Sequence, residues 1–281
     1  VSDSKSVIKL SASGTVTGTL PTGGTARGIG GIAGSLTTNG AAVKTLTNSA
    51  AVTGNRSVGG IAGYFSGKDQ ATGKDMADCQ NEGLILSSTA ADDHSLAGHY
   101  IGGIAGLNVG GSTAGTIENC TTEKNCTVTG RNTVGGIVGY AKMQTSENAA
   151  KLLNCTNHAD VSGNLMVGGI VGTIDSQLIY QGSYTDDDLA KIANIKEADN
   201  DGLILCTAEV NDTTLQGKYF GGIAGYAEQS LIYDAASASG RAAQFSFDES
   251  KKTEYLKGKY VGGIVGYGNS TLVNNCSTEK D

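Results

Sequence analysis

One six-residue pattern occurs seven times in this chain of 281 residues and constrains its fold more than any other feature. The pattern is an apolar residue followed by Gly-Gly-Ile, then Ala or Val, then Gly. Its central isoleucines are Ile32, Ile61, Ile104, Ile137, Ile170, Ile223 and Ile264. Their spacing varies from 29 to 53 residues, so the chain is a repeat with insertions of different length. A unit of this size cannot bury a hydrophobic face alone, and stacking of successive units is the usual solution.

Two classes of unit are interleaved along the chain. The short class reads Asn-x-Ala-x-Val-x-Gly, then three spacer residues and the glycine pattern, and its copies at 43–63 and 152–172 align without gaps. The long class carries an extra insertion, which ends on Gly, then His or Lys, then Tyr. Its copies at 79–106 and 198–225 also align without gaps, and 245–266 follows the same plan.

The periodicity inside each unit predicts strands rather than helices. Apolar and polar residues alternate, as in Ala159-x-Val161, and period two is typical of a strand. We therefore predict that 1–281 is a single all-β domain, a β-solenoid of about seven stacked coils with about three short strands per coil. One segment differs, because Thr185 and the acidic residues after it predict a short helical insert over 186–193.

Composition and charge exclude several function classes. The chain has 43 glycines and one proline, yet glycine does not recur at every third position, which excludes collagen. No run of about 18 apolar residues exists, so no membrane-spanning helix is predicted. The net charge is −7 and no basic run occurs, which argues against a nucleic-acid or acidic-lipid partner.

The glycine pattern, with its preceding apolar residue and its frequent following tyrosine, resembles the GLUG repeat. The resemblance covers residues 7–276, nearly the whole chain. GLUG repeats are found in large secreted or surface-anchored bacterial proteins, including adhesin-like proteins and the non-catalytic regions of immunoglobulin A1 metalloproteases. The resemblance implies a bacterial, extracellular stalk or adhesive module, and it assigns no catalytic residue. The long units and the helical insert depart from a uniform stalk.

The C-terminal residues 270–281 resemble the start of an eighth unit that does not reach its glycine pattern. An open solenoid end is an unpaired sheet edge, which is a liability for a folded protein. We therefore expect the chain to be a fragment of a longer protein.

The six cysteines occupy positions that predict buried thiols. One template position holds Cys79, Cys120, Cys155 and Cys276. Leu46 and Ala198 fill the same position in other units, so the position faces inward and accepts small apolar side chains. Cys126 falls on a second inward position. The main alternative is a disulfide between Cys120 and Cys155 in neighbouring coils.

The sequence contains no recognisable catalytic motif and predicts no cofactor. No His-Glu-x-x-His motif and no Gly-x-Ser-x-Gly motif occurs. Asp199 and Asp201 resemble half a calcium loop, but Leu203 and Ile204 follow where further oxygen ligands are needed. We predict a solvated turn there, with a weak calcium site as the alternative. One further polar column is predicted to form stacked amides along the solenoid, and it contains Asn48, Asn81, Asn157 and Asn200.

Two sets of tyrosines are the candidate ligand-binding residues. The first set follows the last glycine of the pattern and contains Tyr64, Tyr140, Tyr226 and Tyr267. The second set precedes the pattern in the long units and contains His99-Tyr100, Lys218-Tyr219 and Lys259-Tyr260. Stacking is expected to bring the last two of these pairs to neighbouring levels of one face. Exposed aromatic rings stack on sugars or anchor protein partners, and cations beside them suit an acidic sugar or an acidic protein patch. The alternative is that the tyrosines only cover backbone at glycine-rich corners.

Together these features predict a secreted or cell-surface bacterial adhesin or stalk region that is not an enzyme. Its long units are expected to bind a host protein, with immunoglobulin as one candidate, or a glycan. A carbohydrate-active enzyme of the solenoid type is an alternative, but it needs clustered carboxylates with basic partners, and the sequence shows no such set. A purely structural spacer is the other alternative.

Overall fold

The computed structural model describes residues 10–20, 28–38, 42–67, 75–88, 99–109, 115–143, 150–177, 184–207, 217–237 and 259–278. Within these ranges the chain forms five parallel sheets of short strands and one helix, Asp186–Ile192. The chain visits sheets 1 to 5 in order and then returns to sheet 1, so each strand pairs with its equivalents in the units before and after it. The predicted β-solenoid architecture is therefore confirmed.

The described strands of each sheet are as follows, in chain order. Sheet 1 contains Leu10–Ala12, Leu46–Asn48, Gln80–Asn81, Thr121–Thr122, Thr156–Asn157, Asp199–Asn200, Ala236–Ser237 and Ser277–Thr278. Sheet 2 contains Thr15–Gly18, Ala51–Gly54, Ile85–Ser87, Thr127–Thr129, Asp160–Gly163 and Ile204–Cys206. Sheet 3 contains Ile29–Gly30, Val58–Gly59, Tyr100–Gly102, Thr133–Gly135, Leu165–Gly168, Lys218–Gly221 and Lys259–Gly262. Sheet 4 contains Ala33–Thr37, Ala62–Ser66, Ala105–Val109, Val138–Lys142, Val171–Asp175, Ala224–Glu228 and Val265–Asn269. Sheet 5 contains Val43–Lys44, Met76–Ala77, Ile117–Glu118, Leu152–Leu153, Ile195–Lys196, Leu231–Tyr233 and Leu272–Asn274.

Five sheets replace the three strands per coil that the sequence predicted, because additional sharp corners divide each unit. The corner between sheets 5 and 1 places one non-glycine residue at a φ between 48° and 58° in each described turn. These residues are Thr45, Asp78, Asn119, Asn154, Glu197, Asp234 and Asn275. Asn and Asp tolerate this left-handed conformation better than other side chains, which explains their frequency at the corner. Neighbouring corners also bond to each other, since Asn154 Nδ2 donates to Asn119 Oδ1 at 2.8 Å.

The isoleucines of the glycine pattern form the predicted buried column. The column contains Ile61, Ile104, Ile137, Ile170 and Ile223, all of which are fully buried. They pack in one continuous cluster with the inward residues of sheet 5, such as Ile117 and Leu152. A second cluster fills the space between sheets 2 and 3 and includes Val128, Val161 and Phe220. The apolar core therefore extends through successive turns rather than forming one centre.

The glycines of the pattern are required because two backbones approach each other closely. A methyl group on Gly136 would overlap the carbonyl oxygen of Gly169 in the next turn and the side-chain amide of Asn157. A methyl group on Gly139 would lie 2.5 Å from the backbone nitrogen of Ile101, in sheet 3 of the preceding turn. Sheets 3 and 4 thus pack backbone against backbone, and no side chain fits between them at these points.

The buried asparagines form amide ladders, as the sequence predicted. Asn48 Nδ2 donates to Asn81 Oδ1, and Asn157 Nδ2 donates to Asn200 Oδ1, both at 2.8 Å. All four asparagines are fully buried. Thr122 lies between the two pairs and instead donates its hydroxyl to the carbonyl oxygen of Gly136 at 2.6 Å. Each ladder satisfies polar groups that burial would otherwise penalise.

The cysteines are not joined in disulfides, and four of them are buried as predicted. The buried four are Cys79, Cys120, Cys126 and Cys155. Cys206 and Cys276 are partly exposed, which corrects the expectation that all six thiols lie inside. Cys276 lies in the last described turn, where no further coil covers it among the described residues. Burial raises the pKa of both Cys126 and Cys155 to about 12.

A thiol reagent is expected to distinguish these two groups. At neutral pH the reagent should modify Cys206 and Cys276 of the folded chain and leave the four buried thiols unmodified. In denaturant it should modify all six. Mass spectrometry of labelled peptides checks this expectation, and a Cys120–Cys155 disulfide would contradict it.

The raised pKa values of Cys126 and Cys155 also predict that the free energy of unfolding falls as the pH rises from about 9, the ordinary thiol value, toward 12. The reason is that in this range these two thiols ionise in the unfolded chain but not in the folded one.

The helix Asp186–Ile192 lies within the predicted helical insert and packs on the outside of sheet 5. Thr185 caps it, since its hydroxyl accepts a hydrogen bond from the backbone nitrogen of Asp188, whose carboxylate accepts one from the backbone nitrogen of Thr185. Leu189 is buried against Leu231 of sheet 5. Across the described part of the chain, no helix has the length and apolar character needed to cross a bilayer.

Candidate ligand-binding surface

The seam between sheets 3 and 4 carries the predicted tyrosines. The column in sheet 4 that follows the last glycine contains, in order of turns, Ser35, Tyr64, Leu107, Tyr140, Thr173, Tyr226 and Tyr267. The tyrosines of the second set lie at the start of strands in sheet 3, on the other side of the seam. Because the two sheets pack through glycine, the two sets of rings come within contact distance of each other.

Four rings meet at the C-terminal turns, and we name them the tyrosine cluster: Tyr219, Tyr226, Tyr260 and Tyr267. Tyr219 stacks on Tyr260 with ring centroids 5.3 Å apart and planes 11° apart. Tyr226 stacks on Tyr267 at 5.4 Å and 17°. The two stacks contact each other edge to face, with Tyr219 lying 5.5 Å from Tyr226 and 5.3 Å from Tyr267. The sequence expectation that these turns stack on one face is thus confirmed.

Tyr260 and Tyr267 lie in the last described turn, where even Val261, the equivalent of the buried Phe220, is 43% exposed. Tyr260 is 45% exposed and Tyr267 is 37% exposed, which makes them two of the few large apolar side chains at the surface of the described structure. Tyr219 and Tyr260 also have φ values of 67° and 70°, which are unusual for tyrosine. The equivalent residues Ser57 and Met166 also have positive φ values, of 41° and 53°, so this conformation belongs to the corner before sheet 3.

A polar row borders the cluster on sheet 4. Tyr226 donates its hydroxyl to Glu228 Oε2 at 2.7 Å, and Asn269 Nδ2 donates to Glu228 Oε1 at 2.7 Å. Desolvation and the Glu228 carboxylate raise the pKa of Tyr226, so its phenol keeps its proton at neutral pH. Sequence reasoning missed this row, although the signal is present: Glu228 and Asn269 each lie two residues after a cluster tyrosine, on the same face of the strand.

Earlier turns carry a smaller aromatic pair. Tyr100 and Tyr140 have ring centroids 4.9 Å apart with planes tilted by 34°. Tyr140 donates its hydroxyl to Asp175 Oδ2 at 3.0 Å, and burial together with that carboxylate raises the pKa of Tyr140. Tyr64 occupies the same column but is separated from Tyr140 by Leu107. Thr173 separates this pair from the tyrosine cluster, so the tyrosines do not form one continuous surface.

The predicted cationic neighbours are placed differently from one another. Lys218 is partly exposed and its backbone pairs with that of Lys259, whose side chain lies outside the described structure. His99 is only 1% exposed, with Nδ1 3.4 Å from Asn132 Nδ2. Its ring therefore lies in the interior and not at the surface beside Tyr100, which corrects that assignment. Most of the long-unit insertions, 89–98, 208–216 and 238–258, also lie outside the described residues.

The weak calcium candidate does not assemble into a metal site. Asp201 Oδ2 lies 2.8 Å from His158 Nδ1 in an exposed pair, and Asp199 is exposed on sheet 1. Within the described ranges, no group of three or more His, Cys, Asp or Glu side chains is arranged to hold a metal ion. The predicted solvated turn agrees with the exposure of these residues.

Comparison of the chain with models of known protein families, with curated proteins and with solved structures finds no match. The function of the tyrosine cluster is therefore inferred from its own geometry.

Proposed function

We propose that the chain is a non-enzymatic, extracellular binding module of a bacterial surface or secreted protein, and that its tyrosine cluster binds a neutral glycan. One observation carries the proposal: four tyrosine rings in mutual contact, two of them well exposed, lie beside a carboxylate and an amide on the same strands. The resemblance to the GLUG repeat supports the bacterial and extracellular setting.

The combination of ring faces and hydrogen-bonding groups fits the two sides of a sugar. The C–H face of a pyranose is apolar and packs on an aromatic face, while its hydroxyls need donors and acceptors nearby. Tyr260 and Tyr267 offer the ring faces. The Glu228 carboxylate and the Asn269 amide offer acceptors and donors two residues along the strand. The hydroxyl groups of the tyrosines add further donors.

The local charge favours a neutral ligand over an acidic one. Glu228 borders the cluster, and Asp175 lies in the same row one turn before it. The net charge of the whole chain is −7. These charges repel a polyanion at long range, which outweighs the attraction expected from the partly exposed Lys218. A neutral polysaccharide therefore replaces the acidic ligand that the sequence suggested.

The double change Tyr260→Ala with Tyr267→Ala is expected to weaken binding of neutral polysaccharide about tenfold to a hundredfold, since each stacked ring contributes about 0.5–1.5 kcal/mol. Affinity electrophoresis through gels containing a glucan, a mannan or a galactan measures the change. Leu84→Ala is the matched control, because Leu84 is a similarly exposed apolar residue, 41% exposed, beside sheet 2. It should leave binding unchanged.

Two further arms decide between ligand classes. Tyr260→Phe with Tyr267→Phe keeps the ring faces and should retain most of the affinity for a glycan. Polygalacturonate and hyaluronan, which are acidic, should bind more weakly than the neutral polymers. The proposal fails if the folded alanine variant binds all neutral polymers as the wild type does. Binding restricted to acidic polymers would point to Lys218 and Lys259 instead, and binding to immunoglobulin alone would indicate a protein partner.

A further inference from the structure

The tyrosine cluster has a second chemical property that does not depend on glycan binding. Tyr226 and Tyr267 lie on directly paired strands of sheet 4, 41 residues apart in sequence, with nearly parallel rings 5.4 Å between centroids. The Tyr226 hydroxyl is hydrogen-bonded to the Glu228 carboxylate at 2.7 Å. Two phenols are therefore close enough to couple oxidatively, and a carboxylate is placed to accept the proton of one of them.

We propose that Tyr226 and Tyr267 are a site of dityrosine formation, which would covalently join two adjacent turns of the solenoid. The co-reactant is hydrogen peroxide acting through a haem peroxidase, or an equivalent one-electron oxidant that reaches the exposed side of the cluster. Tyr267 is 37% exposed, so such an oxidant can reach it. Tyr260 is more exposed, at 45%, but of the two stacks in the described cluster it is the Tyr226–Tyr267 stack that has a phenol hydrogen-bonded to a carboxylate, Glu228.

The coupling is a two-electron oxidation of the pair. Each phenol loses one electron and its hydroxyl proton, and gives a phenoxyl radical. The two radicals form a carbon–carbon bond between ring positions ortho to the oxygens, and the hydrogen on each of these carbons moves to oxygen and restores the aromatic ring. The pair has then lost two electrons and two protons, and one hydrogen peroxide accepts them to give two waters. Glu228 assists at Tyr226, because a hydrogen-bonded carboxylate accepts the phenolic proton as the electron leaves.

The position of the pair gives the coupling a structural consequence. The new bond would connect the strand Ala224–Glu228 to the strand Val265–Asn269, so the last described turn could not separate from its neighbour. Each turn of a solenoid is stabilised mainly by its interfaces with neighbouring turns, so a covalent link between two turns makes them open as one unit.

The Tyr100–Tyr140 pair offers an internal comparison. Tyr140 also donates to a carboxylate, that of Asp175, but the two rings are tilted by 34° and both are less exposed than Tyr267. We expect coupling there to be slower than at Tyr226 and Tyr267. Because both pairs have a carboxylate, a difference in coupling rate between them would be due to ring stacking and to the access of the oxidant.

The test treats dilute chain with a haem peroxidase and limiting hydrogen peroxide, then follows dityrosine fluorescence and maps linked peptides by mass spectrometry. The expected product is a monomer that has lost two hydrogen atoms, with peptides containing Tyr226 and Tyr267 joined. Tyr267→Phe keeps the ring stack and the fold but lacks the phenol, so this link should disappear. Glu228→Gln should lower its yield several-fold.

Three results would overturn the proposal. The first is the absence of dityrosine in the wild type under conditions that couple free tyrosine. The second is dityrosine found only between separate molecules. The third is a principal link at Tyr219 and Tyr260 or at Tyr100 and Tyr140 instead. An unchanged yield in Glu228→Gln would remove that residue as the proton acceptor. Circular dichroism of each variant confirms that it is folded, and none of these outcomes bears on glycan binding.

Discussion

Gly136→Ala is expected to destabilise the chain by about 3 kcal/mol or more. The added carbon would overlap the carbonyl oxygen of Gly169 and the amide of Asn157. Both neighbours are held in place, because Asn157 is fully buried and is fixed by its bond to Asn200. Neither the backbone nor the ladder can move aside without breaking hydrogen bonds in the next turn.

Gly268→Ala is the matched control for this change. Gly268 also lies in a strand, in sheet 4, but the nearest atom to an added methyl group is Thr271 Cβ at 3.2 Å. Its effect should stay below about 1 kcal/mol, as for most surface substitutions. Urea unfolding followed by circular dichroism measures both variants. Equal stability of the two variants would contradict the close approach of backbones that defines the glycine pattern.

Ile137→Ala is expected to lower the free energy of unfolding by about 2–5 kcal/mol. Ile137 is fully buried in a central turn, and turns on both sides of it prevent the cavity from collapsing. Leu84→Ala, which changes an exposed side chain, should alter stability by about 0.5 kcal/mol or less. A urea midpoint for Ile137→Ala that matches the wild type would place this column outside the core.

The architecture could be predicted from the sequence because equivalent residues of successive units occupy the same structural environment. The buried isoleucine column, the inward position of Cys79, Cys120 and Cys155, and the Asn157–Asn200 ladder all follow from aligning the units. The number of strands per coil could not be predicted, because the positions of the corners depend on local backbone angles. Thr45 and Glu197 adopt the same left-handed φ as the Asn and Asp residues of that corner, although neither residue type favours it.

Contacts between equivalent tyrosines along the solenoid axis could be predicted, whereas contacts between tyrosines of different sheets could not. Alignment of units predicts that Tyr219 faces Tyr260 and that Tyr226 faces Tyr267, since equivalent residues stack. The contact between the two stacks depends on the distance between sheets 3 and 4, which no alignment of repeats contains. The burial of His99 likewise depends on packing at the base of the long unit. Its alignment with the partly exposed Lys218 predicted a surface position, and that prediction is wrong.

Ring resonances of isotope-labelled tyrosine test most directly whether the tyrosine cluster is the surface that contacts a ligand. The chain has eleven tyrosines, and single Tyr→Phe variants assign their signals. On titration with a neutral oligosaccharide, the signals of Tyr219, Tyr226, Tyr260 and Tyr267 should shift and saturate together. Tyr184 and Tyr233, which pack beside the helix, should not move. Saturable shifts at Tyr184 and Tyr233, with the signals of the cluster unchanged, would show that the ligand binds beside the helix and not at the tyrosine cluster.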